Sequence, residues 1–141
     1  MLAAWASLAS PLRHETSIDG RLRELIVLRI AQLTHARYQW AYHVRPSLSS
    51  GLSKDQLNRL AQWRDSDLFD DQQRAVLDYA EHVATLAVDD AAYDNLARLF
   101  SAKEIIELTL TAAFYTNVSR VLQALQIEVD PAFPSEPELT M

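Results

Sequence analysis

The chain has 141 residues, of which 49% are hydrophobic, and a net charge of −6 at pH 7, which together suit a single soluble domain with its own core. The absence of cysteine excludes disulfides, thiolate metal sites and cysteine nucleophiles. The acidic balance argues against nucleic acid and anionic membranes as partners, because both are bound through basic surfaces. No apolar run reaches the roughly 18 residues of a transmembrane helix, and residues 1–10 lack the cationic start of a signal peptide. We therefore expect a cytoplasmic protein.

The chain is predicted to be all-α, a compact bundle of about six helices. It contains only two glycines, fewer than the turns of a β-rich fold usually need. After an apolar N-terminal segment that packs on the domain or forms a short helix, helices are predicted over about 22–33, 36–49, 53–63, 70–87, 89–100 and 101–125. Pro131, Pro134 and Pro137 mark a nonhelical tail. We expect one domain over 1–130 and a proline-rich tail over 131–141.

Several of these helix ends carry their own capping signals. Three residues suited to accept hydrogen bonds from a helix start precede the first predicted helix: Thr16, Ser17 and Asp19. Gly51 follows the second helix, where a glycine favours termination. Two pairs have the spacing of a capping box: Ser53 with Gln56, and Ser101 with Glu104.

Two of the predicted helices, over 22–33 and 105–125, are apolar around nearly their whole circumference. Such a helix must be buried on all sides, and a domain of this size has little room for two. We expect part of this apolar surface to lie in an interface between copies of the chain. The alternative is that both are central helices of a monomer.

The second predicted helix carries the polar residues best suited to chemistry. Successive helix residues are about 100° apart, so Gln39 and His43 are neighbours on one face, with Trp40 beside them. Histidine is the side chain best matched to proton transfer near neutral pH. This group forms either a small polar pocket or a core in which the histidine bonds a neighbouring carbonyl. Tyr38 and Arg45 lie on the other side of the helix and are candidates to line a pocket or an interface.

Three charged residues lie in the two apolar helices. Glu24 is either a buried carboxylate that orients a histidine or holds an arginine, or a first-turn residue that faces solvent. Arg29 and Arg120 each need a partner, which is either a structural carboxylate or an anionic ligand. No H-E-x-x-H or i,i+4 histidine pair occurs, so no metal site is predicted.

Three segments together resemble the carboxymuconolactone decarboxylase-like family, whose superfamily includes the alkyl hydroperoxide reductase D-like peroxidases. They are RLRELIVLRIAQLTHARYQWAYHV (21–44), SGLSKDQL (50–57) and EIIELTLTAAFYTNVSRVLQAL (104–125). The resemblance covers roughly Pro11 to Pro131, and its specific part runs from Arg21 to Leu57. It implies an all-α fold that assembles as a trimer or a hexamer.

The resemblance also assigns individual residues. In the peroxidase branch, a glutamate precedes a C-x-x-C motif, and a histidine follows four residues after the second cysteine. Glu24 and His43 match the glutamate and the histidine, while Ala36 and Gln39 stand at the two cysteine positions. The decarboxylase branch instead has an aromatic residue followed by H-V-R, which Trp40 and the triplet 43–45 resemble. The chain therefore combines features of both branches and lacks the thiols of the first.

We interpret the chain as a cofactor-free enzyme that acts on a small organic acid or lactone by decarboxylation or by proton transfer next to a carbonyl. His43 would be the general acid/base, and Glu24 would orient it. A substrate carboxylate would be held by Arg45 or Arg120. Further substrate contacts are assigned to the second helix: Tyr38, Gln39 and Trp40. The alternative function is that of a non-catalytic, oligomeric small-molecule binding protein.

Overall fold

Eight α-helices and one 3-10 helix make up the regular structure of the residues that the computed structural model describes, which are 1–131 and 137–139. The α-helices are α1 (Leu2–Ser7), α2 (Ala9–His14), α3 (Gly20–Leu33), α4 (Arg37–Ser49), α5 (Lys54–Arg59), α6 (Asp71–Thr85), α7 (Asp90–Ala97) and α8 (Ala102–Ala124), and the 3-10 helix is Leu60–Asp65. All six predicted helices are present, and the N-terminal segment forms two more. No strand occurs in these ranges, so the predicted all-α fold is confirmed. Pro134 of the predicted tail lies outside the described residues.

The helix starts follow the capping signals of the sequence. Asp19 is the residue that caps α3, since its side chain accepts a hydrogen bond from the backbone N–H of Arg21. Both predicted capping boxes are confirmed, at the starts of α5 and α8. A third occurs at α6, where Asp70 and Gln73 exchange side-chain and backbone hydrogen bonds. Capping signals act within four residues, which is why the sequence locates them well.

The end of α4 is a glycine-terminated motif. Gly51 has a φ of 104°, in the left-handed region that favours glycine. Its N–H donates to the carbonyl of Leu48, and the N–H of Leu52 donates to the carbonyl of Ser47. This pair of bonds is the Schellman arrangement, and it satisfies carbonyls that the helix itself cannot.

The third predicted helix is less regular than expected. The α-helical part ends at Arg59, and the chain continues as the 3-10 helix, in which Gln62 has non-helical dihedral angles. Leu60 and Trp63 are buried there, while Arg59, Gln62 and Arg64 are exposed. The tighter turn brings these two side chains, three residues apart, onto one face.

Helix α3 lies at the centre of the domain and packs against α4, α6 and α8. One side of it contributes to an apolar cluster with α6 and α8, and the other side to a cluster with α4, α5 and the 3-10 helix. Its apolar residues are therefore buried within the chain itself: Leu22, Leu25, Ile26, Val27, Leu28 and Ile30. For α3, this is the central position that the sequence analysis gave as the alternative, and assembly of the chain stays a prediction.

Helix α8 differs from α3 because one of its apolar faces remains uncovered. Ile106 is 60% exposed and Leu110 is 49% exposed. Together with Tyr93 of α7 they line an apolar cavity of about 340 Å³. The surplus apolar surface that the sequence predicts is thus found on α8. No helix in the described residues combines the length and apolar composition that a bilayer crossing requires.

We expect light scattering to report a homo-oligomer, a trimer or a hexamer, because the exposed face of α8 is costly to leave in water. The double substitution Ile106→Glu/Leu110→Glu is expected to shift the assembly toward monomers, since burying two carboxylates in an apolar contact is unfavourable. Lys103→Gln, an exposed change on the same helix, is the matched control. A wild-type monomer at micromolar concentration would contradict the prediction.

Arg29 has a structural partner, which is one of the two alternatives that the sequence left open. Its Nε donates to Oε1 of Glu81 at 2.7 Å. The same carboxylate accepts hydrogen bonds from Nε1 of Trp63 at 2.8 Å and from Nη2 of Arg64 at 2.9 Å. Burial works against ionisation of Glu81, but the bond from Trp63 and the two guanidinium groups prevail and lower its pKa. This network ties α3 and the 3-10 helix to α6.

Candidate acid–base site

Glu24 of α3 and His43 of α4 form a buried pair. Oε2 of Glu24 lies 2.8 Å from Nδ1 of His43. The two residues are 3% and 6% exposed. Of the alternatives for Glu24, the structure therefore selects the buried carboxylate that orients a histidine. Because α3 and α4 pack side by side, two residues 19 positions apart meet.

The pair defines which ring nitrogen of His43 is available for chemistry. When Glu24 is ionised, its carboxylate only accepts hydrogen bonds, so Nδ1 of His43 then carries the proton and donates to Glu24. In the neutral ring, Nε2 then bears the lone pair. Within the described residues, no hydrogen bond is made by Nε2. This is the arrangement in which a carboxylate sets the tautomer and orientation of a histidine base.

Tyr115 of α8 and Arg13 of α2 extend this pair toward the surface. The rings of His43 and Tyr115 meet edge to face, with centroids 5.1 Å apart. Nε of Arg13, whose side chain is exposed, donates to the hydroxyl of buried Tyr115 at 2.9 Å. Burial raises the pKa of Tyr115, although the bond from Arg13 partly offsets this effect. The phenol is therefore neutral at physiological pH and keeps its O–H proton.

A second guanidinium group borders the pair. Nε of Arg23 lies 3.5 Å from Oε1 of Glu24. This nitrogen is buried, yet it has no hydrogen-bond partner in the part of the chain that the structure describes. Across the described ranges, no group of three or more histidine and carboxylate side chains is placed to hold a metal ion. The arrangement is suited to moving protons.

Gln39 belongs to the core and not to a ligand pocket. Its Nε2 donates to the backbone carbonyl of Val27 at 2.9 Å, and its Oε1 accepts from the hydroxyl of Ser119 at 2.9 Å. Both ends of the amide are thus occupied by α3 and α8, and the residue is fully buried. The structure gives Gln39 a role in holding α4 against α3 and α8, and its contact with a substrate stays a prediction.

Tyr38 and Trp40 line a cavity, but it is a different one. A cavity of about 800 Å³ lies between the start of α4 and the end of α8, and both residues contribute to its wall together with Ala36. Neither Glu24 nor His43 lines it, nor do they line the smaller cavity at α8. The indole Nε1 of Trp40 donates to the carbonyl of Pro137 at 2.8 Å, so part of the tail returns to this wall.

The two arginines predicted to hold a substrate carboxylate are not at the pair. Arg45 and Arg120 are both exposed, and neither makes a hydrogen bond or ion pair with Glu24 or His43. Each is exposed while the residue before it is buried, Val44 before Arg45 and Ser119 before Arg120. The positive charge near His43 comes from Arg13 and Arg23, which the sequence did not single out.

One signal in the sequence points to Tyr115. Thr111, Tyr115 and Ser119 follow one another at four-residue spacing in an otherwise apolar helix, and all three are buried. Such a polar stripe on a buried face marks the side of α8 that meets other polar groups. Arg13 has no comparable signal, since a single arginine near a helix end is ordinary on a surface.

We predict no thiol peroxidase activity. Ala36, at the first expected cysteine position, is the buried residue that precedes α4, and Gln39, at the second, is bonded in the core. Neither side chain can form a sulfenic acid or a disulfide. Hydrogen peroxide consumption by metal-free protein is expected to equal the protein-free rate, with or without dithiothreitol. A faster rate that survives metal removal would disprove this.

Comparison with known sequences places this chain in a family. The sequence model of the carboxymuconolactone decarboxylase family matches residues 1–82. The uncharacterized protein YnjA of Escherichia coli K12 is 32% identical over 117 residues, which are 82% of this chain and 64% of YnjA. This chain thus spans less than two thirds of that relative. The uncharacterized protein YdfG of Bacillus subtilis 168 is 22% identical over 114 residues, covering 79% of this chain and 78% of YdfG.

Solved structures agree on the fold. ATU0492 of Agrobacterium tumefaciens, a protein of unknown function whose name links it to the antioxidant defence protein AhpD, superposes with a TM-score of 0.87 at 24% identity, covering 92% of this chain and 90% of that one. The debrominase Bmp8 superposes with a TM-score of 0.80 at 18% identity, covering 92% of this chain and 71% of Bmp8. Since the family model covers more than half of the sequence, the chain belongs to the carboxymuconolactone decarboxylase family.

Proposed function

We propose that this protein is a cofactor-free enzyme that moves a proton next to a carbonyl group of a small organic acid or lactone, with His43 as general acid/base. The observation that carries the proposal is the 2.8 Å contact between Nδ1 of His43 and Oε2 of Glu24 in a buried setting. A buried carboxylate is costly unless it has a partner. Here the partner is a histidine whose Nε2 makes no hydrogen bond within the described residues, and such a histidine is suited to proton transfer.

The chemistry needs only the residues of the pair and a substrate carbonyl. Nε2 of His43 would remove a proton from the carbon next to the carbonyl, and the electron pair would pass into an enolate. In a decarboxylation, the carbon–carbon bond would break, CO₂ would leave, and protonated His43 would deliver its Nε2 proton to the resulting enolate carbon. In both cases Glu24 would stabilise the imidazolium cation.

A second candidate is a non-catalytic protein that binds small molecules. The observation favouring it is the position of the 800 Å³ cavity, whose volume suits a small ligand and whose wall includes Tyr38 and Trp40 but not His43. On this hypothesis, the Glu24–His43 pair would serve only to hold α3 against α4. The two functions differ in whether ligand chemistry depends on His43.

Proton exchange in heavy water separates the two functions. Metal-free protein is incubated in D₂O with a panel of small carboxylic acids and lactones that carry a C–H bond next to a carbonyl. Proton NMR then follows loss of that C–H signal or appearance of a decarboxylated product. We expect at least one compound to react faster than in buffer, with His43→Gln inactive and the exposed-residue control His14→Gln fully active. If compounds raise the melting temperature but none reacts, the binding function replaces the enzymatic one.

A further inference from the structure

The hydrogen-bonding groups around Tyr115 leave unused donors close to His43. The Tyr115 oxygen accepts the bond from Nε of Arg13, so the phenol proton is directed elsewhere. In the described part of the chain, that O–H has no acceptor at hydrogen-bond distance. A neutral phenol whose proton has no acceptor can donate to a ligand oxygen.

Arg13 also has N–H donors that no group in the described residues accepts. Its Nε is fixed by Tyr115, while the side chain as a whole is exposed on α2. Among the described residues, no carboxylate pairs with its guanidinium, although this chain carries 19 acidic residues and 13 basic ones. The Nη1 and Nη2 edge of the guanidinium makes no hydrogen bond or ion pair within the described residues. That edge has the fork geometry with which arginine holds a carboxylate.

The charged groups around Tyr115 also favour an anionic ligand. The charged groups with the largest effects on the pKa of Tyr115 are Arg13, Glu24 and Arg23. Nε of Arg23 is also buried without a hydrogen-bond partner in the described residues. Two guanidinium groups against one carboxylate leave this spot positive on a protein whose net charge is −6. An anion is therefore favoured here over a neutral or cationic ligand.

We propose that Arg13 and Tyr115 bind the carboxylate of the substrate and place the rest of that molecule against Nε2 of His43. The proposal rests on the proposed acid–base function and narrows its substrates to small carboxylic acids, with lactones included only if they also carry a carboxylate. Arg13 replaces Arg45 and Arg120 in the role that the sequence gave to them. Tyr115 supplies a neutral donor that stays protonated beside the anion.

Benzoate is a suitable probe, with benzamide as its uncharged match. Long-range ¹H–¹⁵N NMR spectra report both ring nitrogens of each of the four histidines, and His43→Gln identifies the His43 signals. We expect benzoate to shift the His43 signals in a saturable way and benzamide to have little effect. Arg13→Gln is expected to raise the Kd of benzoate roughly tenfold or more, since it removes a charge-assisted contact. Tyr115→Phe should raise it less, roughly 3–10-fold, because the lost bond is uncharged at the donor.

The control is Arg98→Gln, an exposed arginine at the end of α7, which should leave the Kd of benzoate unchanged. Thermal melts show whether each variant is folded, and Arg13→Gln changes only an exposed side chain. Three results would overturn the inference: equal affinity for benzoate and benzamide, an unchanged Kd in Arg13→Gln, or no His43 shift up to about 50 mM benzoate, well above a millimolar Kd.

The benzoate experiment tests the carboxylate site separately from the proposed function, because it measures binding and not turnover. If benzoate binding depends on Arg13 while turnover does not depend on His43, the carboxylate site stands and the enzymatic role fails. If turnover depends on His43 but the Kd of benzoate does not depend on Arg13, the proposed carboxylate site is wrong and the enzymatic role stands.

Discussion

Replacing His43 with glutamine is expected to lower turnover about 10²–10⁴-fold, the usual contribution of a positioned acid/base. A glutamine amide can still donate a hydrogen bond to Glu24, but it has no nitrogen that takes up and releases a proton near neutral pH. The fold should therefore persist while proton transfer is lost. Steady-state kinetics on the compound identified by deuterium exchange, together with a thermal melt, measure both effects.

Alanine at position 43 is a less informative change than glutamine. His43 is buried and packs against Tyr115, so His43→Ala would leave a cavity and an unpaired buried carboxylate at Glu24. Losing one partner of a buried pair costs about 3–5 kcal/mol of folding free energy. His43→Ala is therefore expected to lower the melting temperature as well as turnover, so glutamine is the substitution that isolates loss of the base.

Glu24→Gln should lower turnover less than His43→Gln, because it disturbs the orientation and charge of the histidine without removing the base. His14→Gln is the matched control, since His14 is an exposed histidine on α2. If His43→Gln lowers the melting temperature and leaves turnover intact, His43 has a structural role and the acid–base assignment fails.

Glu81→Gln is expected to lower the free energy of unfolding by about 3 kcal/mol at neutral pH, because it removes the charge that pairs with Arg29 and Arg64 in a partly buried network. The hydrogen bond from Trp63 is also weakened, since an amide oxygen accepts less strongly than a carboxylate. Chemical denaturation of wild type and variant at equal protein concentration measures the difference. Glu15→Gln, an exposed change, is the control and should have no effect.

The pH dependence of this difference has a definite sign. The pKa of Glu81 is lowered in the folded state relative to its ordinary value of 4.5. Its contribution is therefore fully present above pH 4.5 and is lost as the pH falls through the lower, folded-state pKa. The difference in the free energy of unfolding between wild type and Glu81→Gln should become smaller below pH 4.5. A gap that widens on acidification would show that Glu81 is not the stabilising charge of the network.

Local features of the fold were predictable from the sequence. Asp19, Ser53 and Ser101 cap helices because their side chains reach backbone N–H groups two or three residues away, and those interactions need no other part of the chain. The left-handed residue after α4 is a glycine for an equally local reason. The 3-10 turn after Arg59 was not predicted, since burial of Trp63 in the core, and not the local pattern, favours it.

The candidate site was predictable only in part. The family resemblance named Glu24 and His43, and the structure brings them into contact. It could not show that Gln39 bonds Val27 and Ser119, because those partners come from two other helices. A helical wheel gives the relative directions of side chains on one helix and says nothing about which neighbour each direction meets.

By itself, the sequence determined the helical class, the helix starts, the absence of thiol chemistry and the two residues of the buried pair, because each follows from composition, from contacts within one turn or from a matched motif. The tertiary structure alone decided that Tyr115 lies beside His43 and is bonded by Arg13, and that Arg45 and Arg120 do not bond the pair. That outcome depends on how α2 and α8 are rotated and packed against α3 and α4. Packing of this kind is set by the burial of many side chains together. Those side chains come from several helices, so no short segment of the chain contains the information.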